Sequence, residues 1–178
     1  MSDKKATFFE GFKDPFDMIN KLRIVFYGMA SISVPFALVW YLQNKEAGNI
    51  DPFLPAFGNT VIGGVTAVIL LVAIAVYSKY NKQLKEIRKE PSLPYRLSLL
   101  LRAQFYKFIP LAISPIVVAI LYRMTLEPLL FGVYILSMVL FAMSNPSVHN
   151  VISDLRLNKN DKEVMLNNIP FDQTDMKL

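Results

Sequence analysis

The chain has 178 residues, of which 53% are hydrophobic and 19% are charged, and its mean hydropathy is +0.36. A soluble domain of this length carries more charge, about 25% of its residues, spread more evenly along the sequence. The chain has no cysteine, which excludes disulfides, thiol catalysis and cysteine metal sites. Its formal net charge of +5 is concentrated in one internal segment and is not a nucleic-acid signature.

Four stretches without charged residues predict transmembrane helices. Their limits are Arg23 and Lys45, Asp51 and Lys79, Lys107 and Arg123, and Glu127 and Asp154. A helix needs about 20 apolar residues to cross a ~30 Å hydrocarbon layer. The third stretch is short, and it reaches this length by taking in residues 99–104 upstream. We therefore predict an all-α integral membrane protein with four transmembrane helices.

Residues 1–23 are predicted to form an amphipathic interfacial segment. On a helical wheel, large apolar side chains fall within about 100° of one another. They are Phe8, Phe9, Phe12, Phe16 and Ile19. Asp14 is the expected N-cap and Pro15 the first helical residue. The segment either anchors on the membrane surface or packs against a partner or the protein's own central loop.

Residues 24–77 form the first predicted transmembrane hairpin, with spans at about 24–42 and 60–77. Small residues at helical spacing offer faces for close helix contact, and a proline in the first span predicts a kink. These residues are Gly28, Ser31 and Pro35 in the first span, and Gly63 and Gly64 in the second.

Residues 78–98 are predicted to be a basic cytoplasmic connector. Four lysines recur there at helical spacing, namely Lys79, Lys82, Lys85 and Lys89. We expect the second span to continue into this segment as a polar helix that is ended by Pro91 and Pro94. The lysines form either a solvated face or a dedicated ligand site.

Residues 99–143 form the second predicted hairpin, with a third span at about 99–122 and a fourth at about 128–143. Pro110 and Pro115 are expected to break the third span. A cytoplasmic tail follows at 144–178, and Asn160 with Glu163 is a candidate capping box for a short helix in it. Such a box pairs a polar N-cap with an acidic residue three positions later.

The distribution of Lys and Arg predicts the orientation. All of them except Lys45 and Arg123 lie before the first span, around the connector or in the tail. Short cytoplasmic segments carry an excess of Lys and Arg. We therefore expect both termini on the cytoplasmic side of a bacterial inner membrane, in contact with the lipids of an anionic inner leaflet.

A sequence pattern, P-[FY]-x5-L-R-x2-F-Y, occurs twice and indicates an internal duplication. The first copy holds Pro15, Phe16, Leu22, Arg23, Phe26 and Tyr27, and the second holds Pro94, Tyr95, Leu101, Arg102, Phe105 and Tyr106. Each copy contains an even number of predicted spans, so both copies keep the same orientation. The predicted fold is therefore two tandem helical hairpins related as parallel repeats.

The duplication also selects the candidate site residues, Arg23, Tyr27, Arg102, Tyr106 and Lys107. Each repeated arginine binds a lipid phosphate, pairs with a partner's carboxylate or serves as an ordinary interfacial anchor. Lys107 has no charged counterpart in the first copy. A charge inside a span is costly, so it either snorkels to the cytoplasmic surface or has a special task.

The sequence favours no enzyme and no cofactor. Its one histidine, His149, makes no metal cluster, and no carboxylate lies inside a predicted span. Neither a phosphate-binding glycine loop nor a nucleophile elbow is present.

By elimination, we expect a non-catalytic accessory or scaffold subunit of a larger inner-membrane complex. Its partners are then membrane lipids and other membrane-protein subunits, with no nucleic acid. The alternative is a small lipid-binding or transport protein, carrier-like or flippase-like, that works as a dimer. A third possibility is a recruiter that binds a cytoplasmic protein through its tail.

Overall fold

The protein is helical throughout the part that the structure describes. A computed structural model describes residues 12–47 and 51–171, with residues 46 and 47 described by their backbone alone. Helices contain 80% of these residues and none of them forms a strand. The helices are α1 (Pro15–Ala47), α2 (Asn59–Ile87), α3 (Leu93–Thr125), α4 (Pro128–Ala142), α5 (Val148–Leu155) and α6 (Lys159–Leu166).

Three of these helices, α1, α2 and α3, are long and apolar enough to cross a membrane. Helices of this length and hydropathy indicate an integral membrane protein, as the charge-free stretches predicted. The fourth apolar helix, α4, has 15 residues and is therefore about 22 Å long. It begins at Pro128 and ends at Ala142, close to the predicted limits of 128 and 143.

Helix α1 begins where the sequence predicted. The backbone N–H of Asp17 donates to Asp14 Oδ1 at 2.8 Å, so Asp14 caps the helix and Pro15 opens it. The helix then continues without interruption through Pro35 to Ala47. The part of the predicted interfacial segment from Pro15 onward is thus continuous with the first apolar span, whereas residues 1–11 lie outside the described residues.

The prediction that prolines break the third span is wrong, because α3 is one continuous helix. Pro94 lies in its first turn, where backbone N–H groups have no partner within the helix. Pro110 and Pro115 lie inside the helix without ending it. Membrane helices tolerate internal proline when other groups bond to the carbonyls that the proline leaves without a donor, here those of Tyr106 and Leu111.

Helix α2 extends beyond its apolar part, as predicted, but it ends at Ile87, before Pro91. It buries a single stripe of residues at intervals of three, four or seven. The stripe contains Ile62, Ile69, Ala73, Tyr80, Leu84 and Ile87. This spacing keeps one side of a helix against its neighbours over many turns. The connector lysines lie off the stripe and are exposed.

The chain divides into two compact units. We call residues 12–25, 78–106 and 146–171 the polar unit, because hydrogen-bonded charged groups join its segments. We call residues 26–77 and 107–145, so far as they are described, the apolar unit. The polar unit contains the connector and the tail. The apolar unit contains the most hydrophobic parts of α1, α2 and α3 and the whole of α4.

In the polar unit, the tail folds into two short capped helices. The Ser147 hydroxyl accepts from the Asn150 N–H at the start of α5. Asn158 Oδ1 accepts from the Asp161 N–H at 2.7 Å at the start of α6. The predicted cap at Asn160 is therefore wrong. Asn158 is two residues earlier in the chain, and the helix already includes residue 160.

The tail also packs against the start of α1 within the polar unit. The Phe16 N–H donates to Asn168 Oδ1 at 3.0 Å, and the Phe171 N–H donates to the Lys13 carbonyl at 3.2 Å. The Phe12 and Phe171 rings meet edge to face, with centroids 6.0 Å apart. The tail, predicted only as a cytoplasmic extension, is an integral part of this unit through residue 171.

The apolar unit has a hydrophobic cluster at its centre. Its buried members are Ala37, Ile62, Ile69, Val118, Ala119, Tyr122, Leu130, Val133 and Tyr134. The buried Tyr122 hydroxyl accepts from Asn44 Nδ2 at 3.2 Å, so its polar atom is not left unpaired in the cluster. The turn between α3 and α4 is tight, and Leu126 in it has a φ of 53°, a left-handed conformation that non-glycine residues seldom adopt.

Candidate functional site

The hairpin formed by the end of α2 and the start of α3 contains a groove of about 360 Å³. This volume falls in the range of small-molecule sites, about 300–1,000 Å³. Two facing stripes line the groove, each with residues at i, i+3, i+4 and i+7, the spacing of one helix face. They are Gln83, Glu86, Ile87 and Glu90, opposite Leu99, Arg102, Ala103 and Tyr106, with Lys89 at the rim.

The groove combines an apolar floor with a polar rim. Ile87 and Ala103 are buried in the floor. On the rim, Lys89 Nζ lies 2.8 Å from Glu86 Oε2, and both side chains are largely exposed. Glu90 and Arg102 add one anionic and one cationic group to the lining.

Two of the five predicted site residues, Arg102 and Tyr106, line this groove. Arg102 is exposed, and Tyr106 is 60% exposed one turn further along α3. Arginine at such a place can bind a phosphate or a carboxylate through two parallel hydrogen bonds. The second copy of the repeat therefore contributes a cation and an aromatic ring to a concave surface.

The equivalent residues of the first copy are not part of the groove. Arg23 Nε donates to the backbone carbonyl of Pro146 at 3.4 Å, so this arginine contacts the first residue of the polar unit's 146–171 segment. Tyr27 is 55% exposed, and its ring meets the edge of the Phe26 ring with centroids 5.4 Å apart. Neither residue shares the groove's lining with Arg102.

Lys107 lies in the apolar unit and is only 6% exposed. Its Nζ is 5.7 Å from the centroid of the Tyr77 ring and 5.8 Å from that of Phe108, within the range of cation–π attraction. A snorkelling lysine keeps its ammonium in water. The burial of Lys107 does not fit that interpretation.

Tyr77 links this lysine to α4 through its hydroxyl. The hydroxyl donates to the Leu140 carbonyl at 3.2 Å and lies 2.9 Å from Ser144 Oγ. Reasoning from the sequence missed both Tyr77 and Ser144. The sequence shows that each is a polar residue at the end of an apolar run, but nothing in it indicates that the two side chains contact each other.

A second group that sequence reasoning missed is the hydrogen-bond chain of the polar unit. Gln104 Nε2 donates to the Tyr80 hydroxyl at 3.2 Å, and that hydroxyl donates to Asp154 Oδ2 at 2.6 Å. Arg88 Nε donates to the Asp154 carbonyl at 2.7 Å. These bonds connect the connector to α5. The Tyr80 side chain is buried, so it is not exposed to solvent.

A buried ion pair connects the connector to α6. Arg96 Nη2 lies 2.6 Å from Asp161 Oδ2, and both side chains are almost fully buried. Removing two charges from water is costly and is offset only when their geometry is good. Arg96 Nε has no hydrogen-bond partner, so the carboxylate of Asp161 is the main compensation for this buried guanidinium.

The single histidine, His149, is exposed on α5, as expected of a surface residue. With Arg156 and Lys162 it borders an open hollow of about 580 Å³. Among residues 12–47 and 51–171, no three His, Asp or Glu side chains are grouped so that they could hold a metal ion.

The α2–α3 groove is a candidate site, since it combines a concave shape, an apolar floor and two charges of opposite sign. Its chemistry suits reversible binding of a small polar group. No protein family, curated protein or solved structure gives a significant match to the chain.

Proposed function

We propose that the protein is a non-catalytic accessory or scaffold subunit of a larger inner-membrane complex. The observation that carries this proposal is the low burial of its first two apolar helices. Only 22% of the most apolar stretch of α1 and 17% of that of α2 are buried within the protein, against 44% for α3. Helices α1 and α2 therefore present most of their apolar surface to other molecules.

Small residues on these exposed surfaces favour other helices as partners. Lipid chains are as apolar as leucine, so membrane helices associate by close packing at small residues. A side-chain carbon added at Gly28, Gly63 or Gly64 would meet nothing within 4 Å in the protein itself. Their backbone is thus open to close approach by a helix of another subunit.

The division into two units supports four membrane crossings. The polar unit contains the segment before α1, the connector between α2 and α3, and the segment after α4. The chain therefore runs from this unit through residues 26–77 and back to it, and again through residues 107–145 and back, as a membrane hairpin does. On this proposal α4 is the fourth crossing, and local thinning of the bilayer accommodates its short length.

Burial in the two copies supports the tandem repeat. Five of the six matched positions agree in burial between the copies, and the exception is Phe26, which is buried, against Phe105, which is partly buried. Pro15 and Pro94 are buried, as are Leu22 and Leu101, whereas Phe16 and Tyr95, Arg23 and Arg102, and Tyr27 and Tyr106 are exposed. Agreement of this kind is expected when two segments derive from one ancestral unit.

The positions of the positive charges support cytoplasmic termini and contact with anionic lipids. Lys79, Lys82 and Lys85 are exposed on the connector part of α2. Basic residues next to a membrane span are attracted to an anionic inner leaflet. Labelling of single cysteines tests this orientation, because the chain has no cysteine of its own. Asp51→Cys should react from outside the cell, and Lys82→Cys only after permeabilisation; the reverse result would contradict the orientation.

The scaffold role is tested by extracting the protein from its native membrane in mild detergent and measuring the mass of the assembly. We expect a stable complex that contains unrelated membrane-protein subunits. A lone monomer or a homodimer that carries bound lipid would overturn the proposal and favour the carrier-like or flippase-like alternative.

A matched pair of variants makes this test sharper. Gly64→Leu fills open space on α2, so it should leave the fold intact and remove the co-purifying subunits. Leucine also has the better helix propensity, by about 0.8 kcal/mol. Val61→Leu is the control. Val61 is also exposed on α2, but its side chain already keeps the backbone of another helix from approaching closely. If the Gly64→Leu protein keeps the same co-purifying subunits, this face of α2 is not the interface.

A further inference from the structure

We infer that the hollow between α5 and α6 binds a phosphomonoester group, with Arg156 and Lys162 at the phosphate oxygens. This inference goes beyond the scaffold role and does not depend on it. Both helices belong to the polar unit, so the hollow is formed within one compact unit of a single chain and requires no partner subunit.

A stripe along α5 and a lysine of α6 line the hollow. Four of the lining residues recur at i, i+3, i+4 and i+7, the spacing of one helix face. The complete lining is His149, Ile152, Ser153, Arg156, Leu157 and Lys162. It offers two cations, an imidazole and a hydroxyl but no carboxylate. The volume of about 580 Å³ is large enough for an organic group as well as the phosphate.

Three acidic residues are next to lining residues in the sequence, but none of them lines the hollow. Asp154 Oδ2 accepts from the Tyr80 hydroxyl at 2.6 Å, and Asp161 Oδ2 lies 2.6 Å from Arg96 Nη2. The third, Glu163, is exposed outside the lining. Among the residues that the structure describes, no Asp or Glu forms an ion pair with either lining cation. Two like charges in one concave surface attract an anion to it.

The backbone at Arg156 also indicates a role for its side chain. Arg156 is the C-cap of α5 and has a left-handed conformation, with φ and ψ both at 50°. Glycine is the usual residue in this conformation at a helix end, because it lacks the side chain that makes the conformation costly. Backbone strain of this kind is concentrated at functional sites. An arginine here therefore adds a guanidinium to the hollow at a cost in stability.

The charge and the donors of the lining select a phosphomonoester over other anions. Such a group carries a charge of about −1.5 to −2 at neutral pH and has three acceptor oxygens. The two lining cations balance this charge, and the guanidinium can donate two parallel hydrogen bonds to the phosphate. The Ser153 hydroxyl is a further donor. A carboxylate or a phosphodiester carries a single negative charge and would leave one cation unbalanced.

The phosphomonoester belongs either to a lipid headgroup or to a soluble metabolite, and the test separates these sources. Calorimetry titrates the full-length protein in detergent with glycerol phosphate, a soluble monoester, and with phosphatidic acid, a lipid monoester. Phosphatidylglycerol with the same acyl chains is the diester control. We expect one site that binds phosphatidylglycerol about tenfold more weakly than the better monoester, because one charge-assisted contact is lost.

Both sources are compatible with the proposal. Tighter binding of phosphatidic acid than of glycerol phosphate would identify a lipid, and equal or weaker binding would identify a soluble metabolite. The proposal is overturned if neither monoester shows saturable binding, or if phosphatidylglycerol binds as tightly as the better monoester.

Two variants with a matched control test the residues. Arg156→Gly should weaken binding of the better monoester about tenfold, and it should keep the fold because glycine adopts a φ of 50° without strain. Lys162→Gln should weaken binding by a similar factor. Lys159→Gln removes the same charge from an exposed position of α6 outside the hollow and should leave binding unchanged. Unchanged binding in Arg156→Gly would overturn the proposal, as would equal losses in Lys159→Gln and Lys162→Gln.

Discussion

The polar and apolar units are held together by different interactions, although the same three helices pass through both. In the polar unit, hydrogen bonds to charged groups join residues that are 65 to 74 positions apart in the sequence. In the apolar unit, neutral groups such as those of Asn44 and Tyr122 form hydrogen bonds between helices around a hydrophobic cluster. The polar unit therefore combines fully buried leucines with a few bonds to charged groups, whereas the apolar unit combines side-chain packing with bonds between neutral groups.

This difference has a physical reason. In water, directional bonds to charged groups help to select one arrangement of helices that also bury apolar side chains. In a bilayer, charges are costly and apolar burial does not drive helices together, so close packing of side chains determines the arrangement. Single polar substitutions should consequently have larger effects in the polar unit.

The largest effect is expected from Asp161→Ala. This change leaves the Arg96 guanidinium buried without its carboxylate, and breaking a buried pair in this way costs about 3–5 kcal/mol. Thermal unfolding in detergent and faster hydrogen exchange in α6 would measure the loss. Glu163→Ala on the exposed face of α6 is the control. A loss no larger than the control's would show that the pair does not hold the tail.

A smaller effect is expected from Tyr80→Phe. The change removes the donor to Asp154 and the acceptor for Gln104, whose Oε1 is already buried without a partner. Leaving buried polar groups unpaired costs about 1–3 kcal/mol. The free energy of unfolding should fall by this amount, with faster exchange in α5. Tyr95→Phe, at an exposed tyrosine of the same unit, should leave it unchanged.

Tyr77→Phe should have a still smaller effect, about 0.6 kcal/mol, the average for hydrogen bonds between membrane helices. The ring that packs against Lys107 is kept, and only the bonds to Leu140 and Ser144 are lost. Comparing this variant with Tyr80→Phe tests the difference between the units directly. A larger loss for Tyr77→Phe would contradict the comparison.

The smallest effect is expected from Lys107→Met. Methionine has a similar length and can keep the contacts with the Tyr77 and Phe108 rings, and its side chain avoids the cost of burying an ammonium group. The variant should insert normally and keep its co-purifying subunits. Normal insertion with loss of function would instead show that Lys107 belongs to a working site, as the carrier-like alternative requires.

The sequence correctly predicted those structural elements that are determined by residues close together in the chain. The charge-free stretches marked the long apolar helices, and Asp14 with Pro15 marked the start of α1 because the capping bond spans only three residues. The breaks expected at Pro110 and Pro115 were wrong because a proline's effect depends on which groups surround it. Neighbouring groups of that kind are not visible in a local pattern.

The candidate site was predictable only in part. The repeat pattern selected Arg102 and Tyr106, which line the groove, but it selected Arg23 equally. Arg23 instead contacts the carbonyl of Pro146, which is 123 residues away in the chain. Contacts between residues so far apart in the sequence depend on the packed fold. The repeat pattern therefore predicted neither the groove nor the contacts of Asp154 with Tyr80 and of Asp161 with Arg96.

The contact between the Phe171 N–H and the Lys13 carbonyl has a consequence for biosynthesis. The polar unit needs residues 12–25, 78–106 and 146–171 together, so it cannot close until the last of these has left the ribosome. Leu22, Leu97 and Leu101 belong to this unit and are fully buried in the finished protein, so their burial is complete only at that moment. A chain that stops before α5 would present these leucines to chaperones and proteases, which gives the cell a simple way to recognise incomplete copies.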